Sequence, residues 1–135
     1  MDSTDVVSQT ELVTAFLSLA RWPNNPVDVL IIPNQHFENI YDVPALYAIP
    51  IHTMNQAVAL ALKAVYRCDG ISLRQHNEPA GNQDVWHFHV HITPRFTTDN
   101  FYTSSRVAFP DDQRLSEAGR IREYIRGHST ELYDG

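Results

Sequence analysis

Three of the seven histidines alternate with apolar residues in one short stretch, and this pattern limits the possible fold more than any other. Side chains in a β-strand point alternately to the two faces of a sheet, so His87, His89 and His91 would share one face. The residues between them would lie on the other, buried face, and all are apolar: Phe88, Val90 and Ile92. The pattern predicts a strand over residues 85–93, ended by Pro94, with a row of imidazoles on one side.

Other apolar runs predict the neighbours of this strand. Residues 27–32 are typical of a buried strand that ends at a proline, and residues 11–19 alternate in the manner of a strand. Residues 71–75 alternate as well, and a polar, turn-forming loop, residues 76–84, joins them to the histidine strand. Because this loop is short, the two strands that it connects are expected to pair antiparallel.

Two segments have the spacing of apolar residues, three and four apart, that is typical of amphipathic helices. The longer covers residues 45–68, where Pro50 should either kink the helix or delay its start. The second covers residues 109–127 and has acidic residues in its first turn. Residues 1–9 are expected to be frayed, unless Val6 begins a strand.

Composition narrows the possible functions. With 135 residues, 43% of them hydrophobic, the chain is expected to form a single domain over residues 1–135 with a real core. The formal net charge is −6 and the ten Lys and Arg residues are scattered, which disfavours binding to a nucleic-acid polymer or an anionic membrane. Cys68 is the single cysteine, so an internal disulfide is excluded. The N-terminus lacks a signal-peptide pattern and no apolar run approaches about 20 residues, so a cytoplasmic protein with no membrane partner is expected.

The row of imidazoles is consistent with three kinds of chemistry. Neutral imidazole is a common metal ligand, and His76, Glu78 or Asp84 of the preceding loop could complete a metal site. Alternatively, one imidazole attacks a substrate while its neighbours adjust its protonation and assist the leaving group. The row could also be only the polar face of a strand. The loop favours nucleophilic catalysis on a phosphate compound, because Asn77, Gln83 and backbone N–H groups suit phosphate or ribose oxygens.

These residues resemble the histidine triad (HIT) family. Residues 87–93 match its signature of three histidines that alternate with apolar residues, and residues 94–95 are the Pro-Arg pair that is common after it. Residues 29–36 resemble the upstream strand and loop of the family, and residues 70–83 resemble its penultimate strand and turn. The similarity covers about residues 24–96. It implies an α+β fold with an antiparallel sheet of about five strands, two helices and, usually, a homodimer.

The resemblance also implies hydrolysis or transfer at the α-phosphate of a nucleotide conjugate, either a nucleoside phosphoramidate or a dinucleoside polyphosphate. The middle histidine, His89, would be the nucleophile and would form a nucleotidyl-imidazole intermediate that water then hydrolyses. His87 and His91 would orient it, stabilise charge and assist the leaving group. The residues expected to contact substrate are Gln83, Asn77 or His76 at phosphate oxygens, and Arg95, which could equally form a salt bridge. No cofactor would be required, although a divalent cation could accompany the substrate.

Three positions depart from the family pattern. Asp28 stands where the family usually has a histidine, and it is a further candidate at the site because a carboxylate beside imidazoles favours their charged form. Ala20 stands near the usual ribose ligand. Asp84 replaces a Ser or Thr and would repel a phosphate unless it is turned away. A nonenzymatic nucleotide-binding module is therefore a second hypothesis, and a His-ligated metalloenzyme is a third.

Overall fold

A five-stranded antiparallel sheet organises the fold in a computed structural model that describes residues 5–133. The strands in chain order are β1 (Val6–Gln9), β2 (Val13–Leu17), β3 (Ala20–Arg21), β4 (Val29–Pro33), β5 (Gly70–Gln75), β6 (Val90–Arg95) and β7 (Val107–Ala108). The large sheet has the order β1-β2-β4-β6-β5, and β3 pairs with β7 in a separate two-stranded sheet. The histidine strand β6 thus lies between β4 and β5 and is antiparallel to both. The predicted sheet is confirmed.

Helices cover one face of the large sheet. The helix α1 (Ala48–Tyr66) packs against β2, β4 and β6, and α2 (Asp111–Gly127) packs against α1 and β1. A short third helix, α3 (Ser129–Tyr133), follows and contacts α1. Both predicted helices are present, and the mixed α+β fold is confirmed. A single 3-10 turn, Ala45–Tyr47, precedes α1, so that Pro50 lies in its first turn, where a missing N–H breaks no helical hydrogen bond.

Within residues 5–133, one segment, Ala45–Tyr66, is long and apolar enough to cross a membrane, with 22 residues and a mean hydropathy of 1.2. Polar residues interrupt it, and the sequence pattern predicted a helix here but no membrane span. In the fold its apolar side chains pack into the core under the sheet: Met54, Ala57, Val58, Ala61 and Leu62. The segment is therefore the core helix of this α+β fold.

The apolar face of the histidine strand is buried, as the alternation predicts. Phe88, Val90 and Ile92 all belong to the core, and Ile92 lies directly opposite Val29 of β4. Burial of one such side chain contributes about 1.5–3 kcal/mol. A slip of one residue in the register would exchange these side chains for histidines, so the core fixes which face the imidazoles occupy.

The histidine strand begins later than predicted. Regular pairing of β6 starts at Val90, because the partner strands pair only as far as Ile31 of β4 and Gln75 of β5. His87 and His89 therefore precede the strand instead of lying within it. The three histidines still alternate along the chain, but of the three it is His91 that lies within β6, so they do not form the single straight row that the pattern predicted.

The strand also continues past the predicted end. Pro94 lies inside β6, opposite Ile71 of β5, whereas pairing with β4 has already ended at Ile92. The carbonyl of Pro94 accepts a hydrogen bond of 2.9 Å from Nδ2 of Asn25 on that open side. The missing N–H thus costs no ladder hydrogen bond, which is why a proline is tolerated here.

The expectation that residues 1–9 are frayed is wrong for the residues that the structure describes at this end. Val6–Gln9 forms β1, which pairs with β2. Just before it, the Asp5 carboxylate accepts a 2.8 Å hydrogen bond from Nε of Arg114, on α2, and both residues are buried. This ion pair and the strand pairing hold the segment on the sheet. Residues 1–4, also expected to be frayed, lie outside the described residues.

Candidate active site

The sheet face opposite α1 carries the polar groups of the site. His91 lies between Leu30 of β4 and Arg74 of β5, and residues directly opposite each other in antiparallel strands share a face. Asp28 immediately precedes β4 and has the same parity as Leu30. The register therefore brings Asp28, His91 and Arg74 together on one side of the sheet.

The His89 ring is held in a single orientation by the backbone carbonyl of His87. Its Nδ1–H donates to the carbonyl oxygen of His87 at 2.8 Å, so in the neutral ring the lone pair is on Nε2. Burial lowers the pKa of His89, while the hydrogen bond to His87 acts in the opposite direction, and the net shift is downward. Neutral imidazole with a free Nε2 is the form that can act as a nucleophile at neutral pH.

His91 is held by a buried carboxylate. Its Nδ1 lies 2.8 Å from Oδ2 of Asp28, and Oδ1 of the same carboxylate accepts a 2.8 Å hydrogen bond from the Thr93 hydroxyl. Asp28, the further candidate at the site, is only 1% exposed, so its carboxylate acts on the site through His91. The rings of His91 and His89 meet edge to face with centroids 4.9 Å apart. Asp28 therefore orients His91 and leaves its Nε2 for the site.

The ring of His87 bonds to other parts of the chain and does not join the pair formed by His89 and His91. Its Nε2–H donates to the carbonyl of Pro33 at 3.1 Å, and its Nδ1 lies 3.3 Å from Nδ1 of His36. A carbonyl only accepts, so in neutral His87 the proton is on Nε2 and Nδ1 accepts from His36. Both ring nitrogens are thus occupied, and it is the carbonyl of His87, through its contact with His89, that acts on the site.

The polar loop before the histidines holds itself together instead of presenting free amides. Gln83 is buried; its oxygen accepts from the backbone N–H of Glu78, and its nitrogen donates to the carbonyls of Glu38 and Val85. The amide of Asn77 is likewise occupied by Gln75 and by the backbone of residue 40. Contact of these two amides with phosphate therefore stays a prediction. Their hydrogen bonds fix the shape of the loop.

His76 is the loop residue that reaches the histidines. Its ring centroid lies 5.8 Å from that of His91, and burial, followed by the positive charge of His91, lowers its pKa. Asp84 lies nearby and pairs with Arg106 at 3.3 Å. Burial alone would raise the pKa of Asp84, but the hydrogen bond and charge of Arg106 outweigh it and the pKa is lowered. The positive charge of Arg106 thus offsets the negative charge of Asp84, the residue that the sequence analysis expected to repel a substrate phosphate.

Arg95 has a structural partner. Its Nε and Nη2 donate to the two carboxylate oxygens of Asp99 at 2.8 and 3.1 Å, and Nη1 donates to Ser72. Of the two interpretations left open for this residue, the salt bridge is confirmed, and the phosphate contact stays a prediction. The bridge shapes the turn after β6, since Asp99 also accepts from the backbone of Phe96 and Phe101.

A cleft of about 340 Å³ opens beside His91. Its aromatic walls are Trp22, Phe101 and Tyr102, its cations are Arg74 and Arg106, and His76, His91 and Asp84 line the end nearest the histidines. A larger cleft of about 490 Å³ lies between β1 and α2, but no histidine lines it, so chemistry and not size identifies the site. Sequence reasoning missed both arginines. Arg74 could have been identified from the sequence, because it lies two residues before His76, in the strand that was predicted to pair with the histidine strand. Arg106 lies in an irregular stretch, where no pattern indicates its position.

Metal binding finds little support in the geometry. No group of three or more His, Cys, Asp or Glu side chains within residues 5–133 is placed to hold a metal ion. The Nδ1 atoms of His89 and His91 are engaged by hydrogen bonds, and so are both ring nitrogens of His87.

Comparisons with known proteins agree with this arrangement. A family model described as the HIT domain matches residues 2–98. A purine nucleoside phosphoramidase of Escherichia coli (strain K12) is 34% identical over 89 residues, which cover 65% of this chain and 73% of that protein. An AP-4-A phosphorylase of Mycobacterium tuberculosis is 30% identical over 100 residues, 73% of this chain but only half of that protein.

A solved structure is similar throughout its length. The Hit-like protein of Bartonella henselae, described as involved in cell-cycle regulation, matches with a TM-score of 0.80 and 29% identity, over 89% of this chain and 85% of that one. The matched family model includes all three histidines of the signature, and it spans the whole large sheet. With its five-stranded sheet and its histidines at the start of β6, this chain belongs to the HIT family.

Proposed function

We propose that this protein is a nucleotide hydrolase or nucleotidyl transferase that acts at the α-phosphate of a nucleotide conjugate through a covalent nucleotidyl-His89 intermediate. The observation that carries the proposal is the 2.8 Å hydrogen bond from His89 Nδ1–H to the His87 carbonyl, which leaves Nε2 as the free nitrogen. The neighbouring ring of His91 is held by Asp28, so a second imidazole is oriented beside the nucleophile.

In the first step, Nε2 of His89 attacks the α-phosphorus. A P–N bond forms as the bond from phosphorus to the leaving atom breaks, and the electron pair goes to that atom. An amine leaving group takes a proton in this step, and His91 is placed to supply it. The Asp28 carboxylate stabilises positive charge on the His91 ring before the transfer.

In the second step, water attacks the phosphorus of the intermediate. The P–N bond breaks, its electron pair returns to Nε2 of His89, and the proton lost by water passes to His91. The site is then restored and a nucleoside monophosphate is released. A different acceptor in place of water would make the same reaction a nucleotidyl transfer.

The relatives support this choice of substrate. One is named as a purine nucleoside phosphoramidase and another as an AP-4-A phosphorylase, so the two candidate classes are nucleoside phosphoramidates and dinucleoside polyphosphates. Both classes have a nucleotide α-phosphate joined to a leaving group, which is what a nucleophilic imidazole requires. We propose the same chemistry for this chain, as a homodimer that needs no metal.

Replacement of the nucleophile tests the mechanism. His89→Ala should abolish nucleotide release while AMP binding stays near that of the wild type, and His52→Ala, exposed on α1, should change neither. Rapid denaturation of wild type during turnover, followed by mass spectrometry, should show a nucleotidyl group on the peptide that contains residue 89. Full activity in His89→Ala would refute the covalent mechanism, and a chelator should leave wild-type activity unchanged.

A nucleotide-binding module without catalysis is the second candidate. The Asp84 carboxylate at the histidine end of the cleft favours it, because an anion there opposes an incoming phosphate wherever Arg106 does not neutralise it. Tight AMP binding without turnover of either substrate class would support this second function.

A further inference from the structure

Arg74 is a largely buried cation with few partners. It lies opposite His91 in the sheet, with its Cζ over the rings of Trp22 and Phe101, 4.9 Å from each centroid. Its Nε and Nη2 are buried, and no hydrogen bond reaches them from the part of the chain that the structure describes. Its Nη2 lies 3.9 Å from Asp28, whose two oxygens already accept hydrogen bonds from β6.

This environment favours the binding of an anion. A guanidinium has five N–H donors, and burial without acceptors costs free energy. Burial accordingly lowers the pKa of Arg74. The aromatic contacts offset part of this cost but supply no acceptor. The side chain remains 19% exposed and lines the cleft, so a phosphate in the cleft has access to the part of the guanidinium that is not buried.

Arg106 is a second cation at the same cleft. It pairs with Asp84 at 3.3 Å, but the two side chains are 49% and 56% exposed, and exposed ion pairs contribute little to stability. Arg106 can therefore exchange this carboxylate for a ligand anion at little cost. Its charge is close enough to act on Arg74, so the two arginines can share one anion.

The cleft extends from the arginines to His91, the neighbour of the nucleophile. His91 lines it, and the His91 ring is in edge contact with His89. We propose that Arg74 and Arg106 form a subsite for a second phosphate group, next to the α-phosphate, so that nucleoside phosphoanhydrides are preferred over phosphoramidates of neutral amines. The leaving group is then a phosphate whose growing negative charge the two arginines stabilise. The choice of substrate class rests on the proposed function, whereas the subsite itself does not.

Equilibrium titrations on the full chain with AMP and with ADP in its α,β-methylene form, in which a P–C–P bridge replaces the cleavable P–O–P link, test the subsite without turnover. ADP should bind at least about tenfold more tightly than AMP, because the second phosphate adds charge-assisted hydrogen bonds. Arg74→Met and Arg106→Met should each remove most of this preference and leave AMP binding within about threefold. Arg74→Lys should keep part of it, and Arg126→Met, exposed on α2, should keep all of it. Equal affinity of the wild type for ADP and AMP would overturn the subsite.

Turnover tests the choice of substrate separately. We expect kcat/KM for a diadenosine polyphosphate to exceed that for adenosine 5′-phosphoramidate by at least about tenfold, and Arg74→Met to reduce only the former. Equal loss on both substrates would overturn the specificity role even if the ADP preference were present. A wild type that binds ADP preferentially but hydrolyses neither compound would refute the proposed function and leave the subsite standing.

Asp84→Asn, which frees Arg106, should strengthen ADP binding; no change or weaker binding would count against the role of Arg106.

Discussion

Replacement of Asp28 by Asn separates the charge of this residue from its shape. The Asp28 carboxylate accepts one hydrogen bond from His91 Nδ1 and one from the Thr93 hydroxyl, each of 2.8 Å. In Asp28→Asn the amide oxygen can still accept from His91, and the Thr93 hydroxyl can rotate to accept from the amide nitrogen. The variant is therefore expected to fold with His91 in place, and to lose the negative charge that stabilises an imidazolium.

The size of the effect follows from the burial of the pair. Both residues are buried, so solvent screens their interaction weakly. A hydrogen bond to a charged group contributes about 1.5–3 kcal/mol, and two charges 4 Å apart at an effective dielectric constant of 20 attract by about 4 kcal/mol. Since each 1.36 kcal/mol is tenfold in rate, Asp28→Asn should slow the step in which His91 carries a proton by roughly 10- to 1,000-fold.

The assay compares two leaving groups on the same nucleotide. Adenosine 5′-phosphoramidate requires a proton on its departing nitrogen, whereas the p-nitrophenyl ester of AMP departs as a stable anion. Asp28→Asn should therefore lower the single-turnover rate of the phosphoramidate by the factor given above and change that of the nitrophenyl ester by less than about threefold.

Equal slowing of both substrates would refute the assignment of Asp28 and His91 to leaving-group protonation. Affinity for AMP and the thermal unfolding midpoint serve as controls, because a collapsed site would change both of them. Asp42→Asn, an exposed loop substitution, should leave both rates unchanged.

Three further predictions concern protonation, the turn after β6 and the loop. Because the pKa of His89 is lowered, its ring should stay neutral to below pH 6.5. The value of kcat/KM should therefore decline only at lower pH, and a decline that begins above pH 6.5 would contradict this. Asp99→Asn should destabilise the fold by about 3–5 kcal/mol in urea unfolding at pH 7. Because the hydrogen bond from Arg95 lowers the pKa of Asp99, that loss should shrink as pH falls below about 3.8, and a constant loss would argue against the ion pair. Gln83→Ala should raise KM more than it lowers kcat, because it frees the loop and touches no reacting atom; an unchanged KM would contradict that role.

The histidine alternation was sufficient to predict the buried face of β6, and the short loop at residues 76–84 predicted its antiparallel pairing with β5. Apolar residues at every second position leave one way to bury a core, which is why Val90 and Ile92 could be placed before any contact was known. The ends of the strand could not be predicted in the same way. They depend on how far β4 and β5 extend beside it, and Pro94 is tolerated because the pairing of β6 with β4 has already ended at Ile92.

The same distinction applies to the candidate site, part of which could be identified from the sequence and part only from the fold. The sequence by itself identified the three histidines, since residue type and spacing carry that information, and its resemblance to the family marked Asp28 and Asp84 as unusual. Only the tertiary structure decided which groups are already occupied, because Gln83, Asn77 and Arg95 find partners through loops and turns that no periodicity describes. The same long-range packing buried Asp28 under His91 and brought Arg74 and Arg106 to one cleft. Hydrogen-bond partners are set by the folded geometry, so the sequence determined the chemistry that is present and the fold determined which of it is free to act.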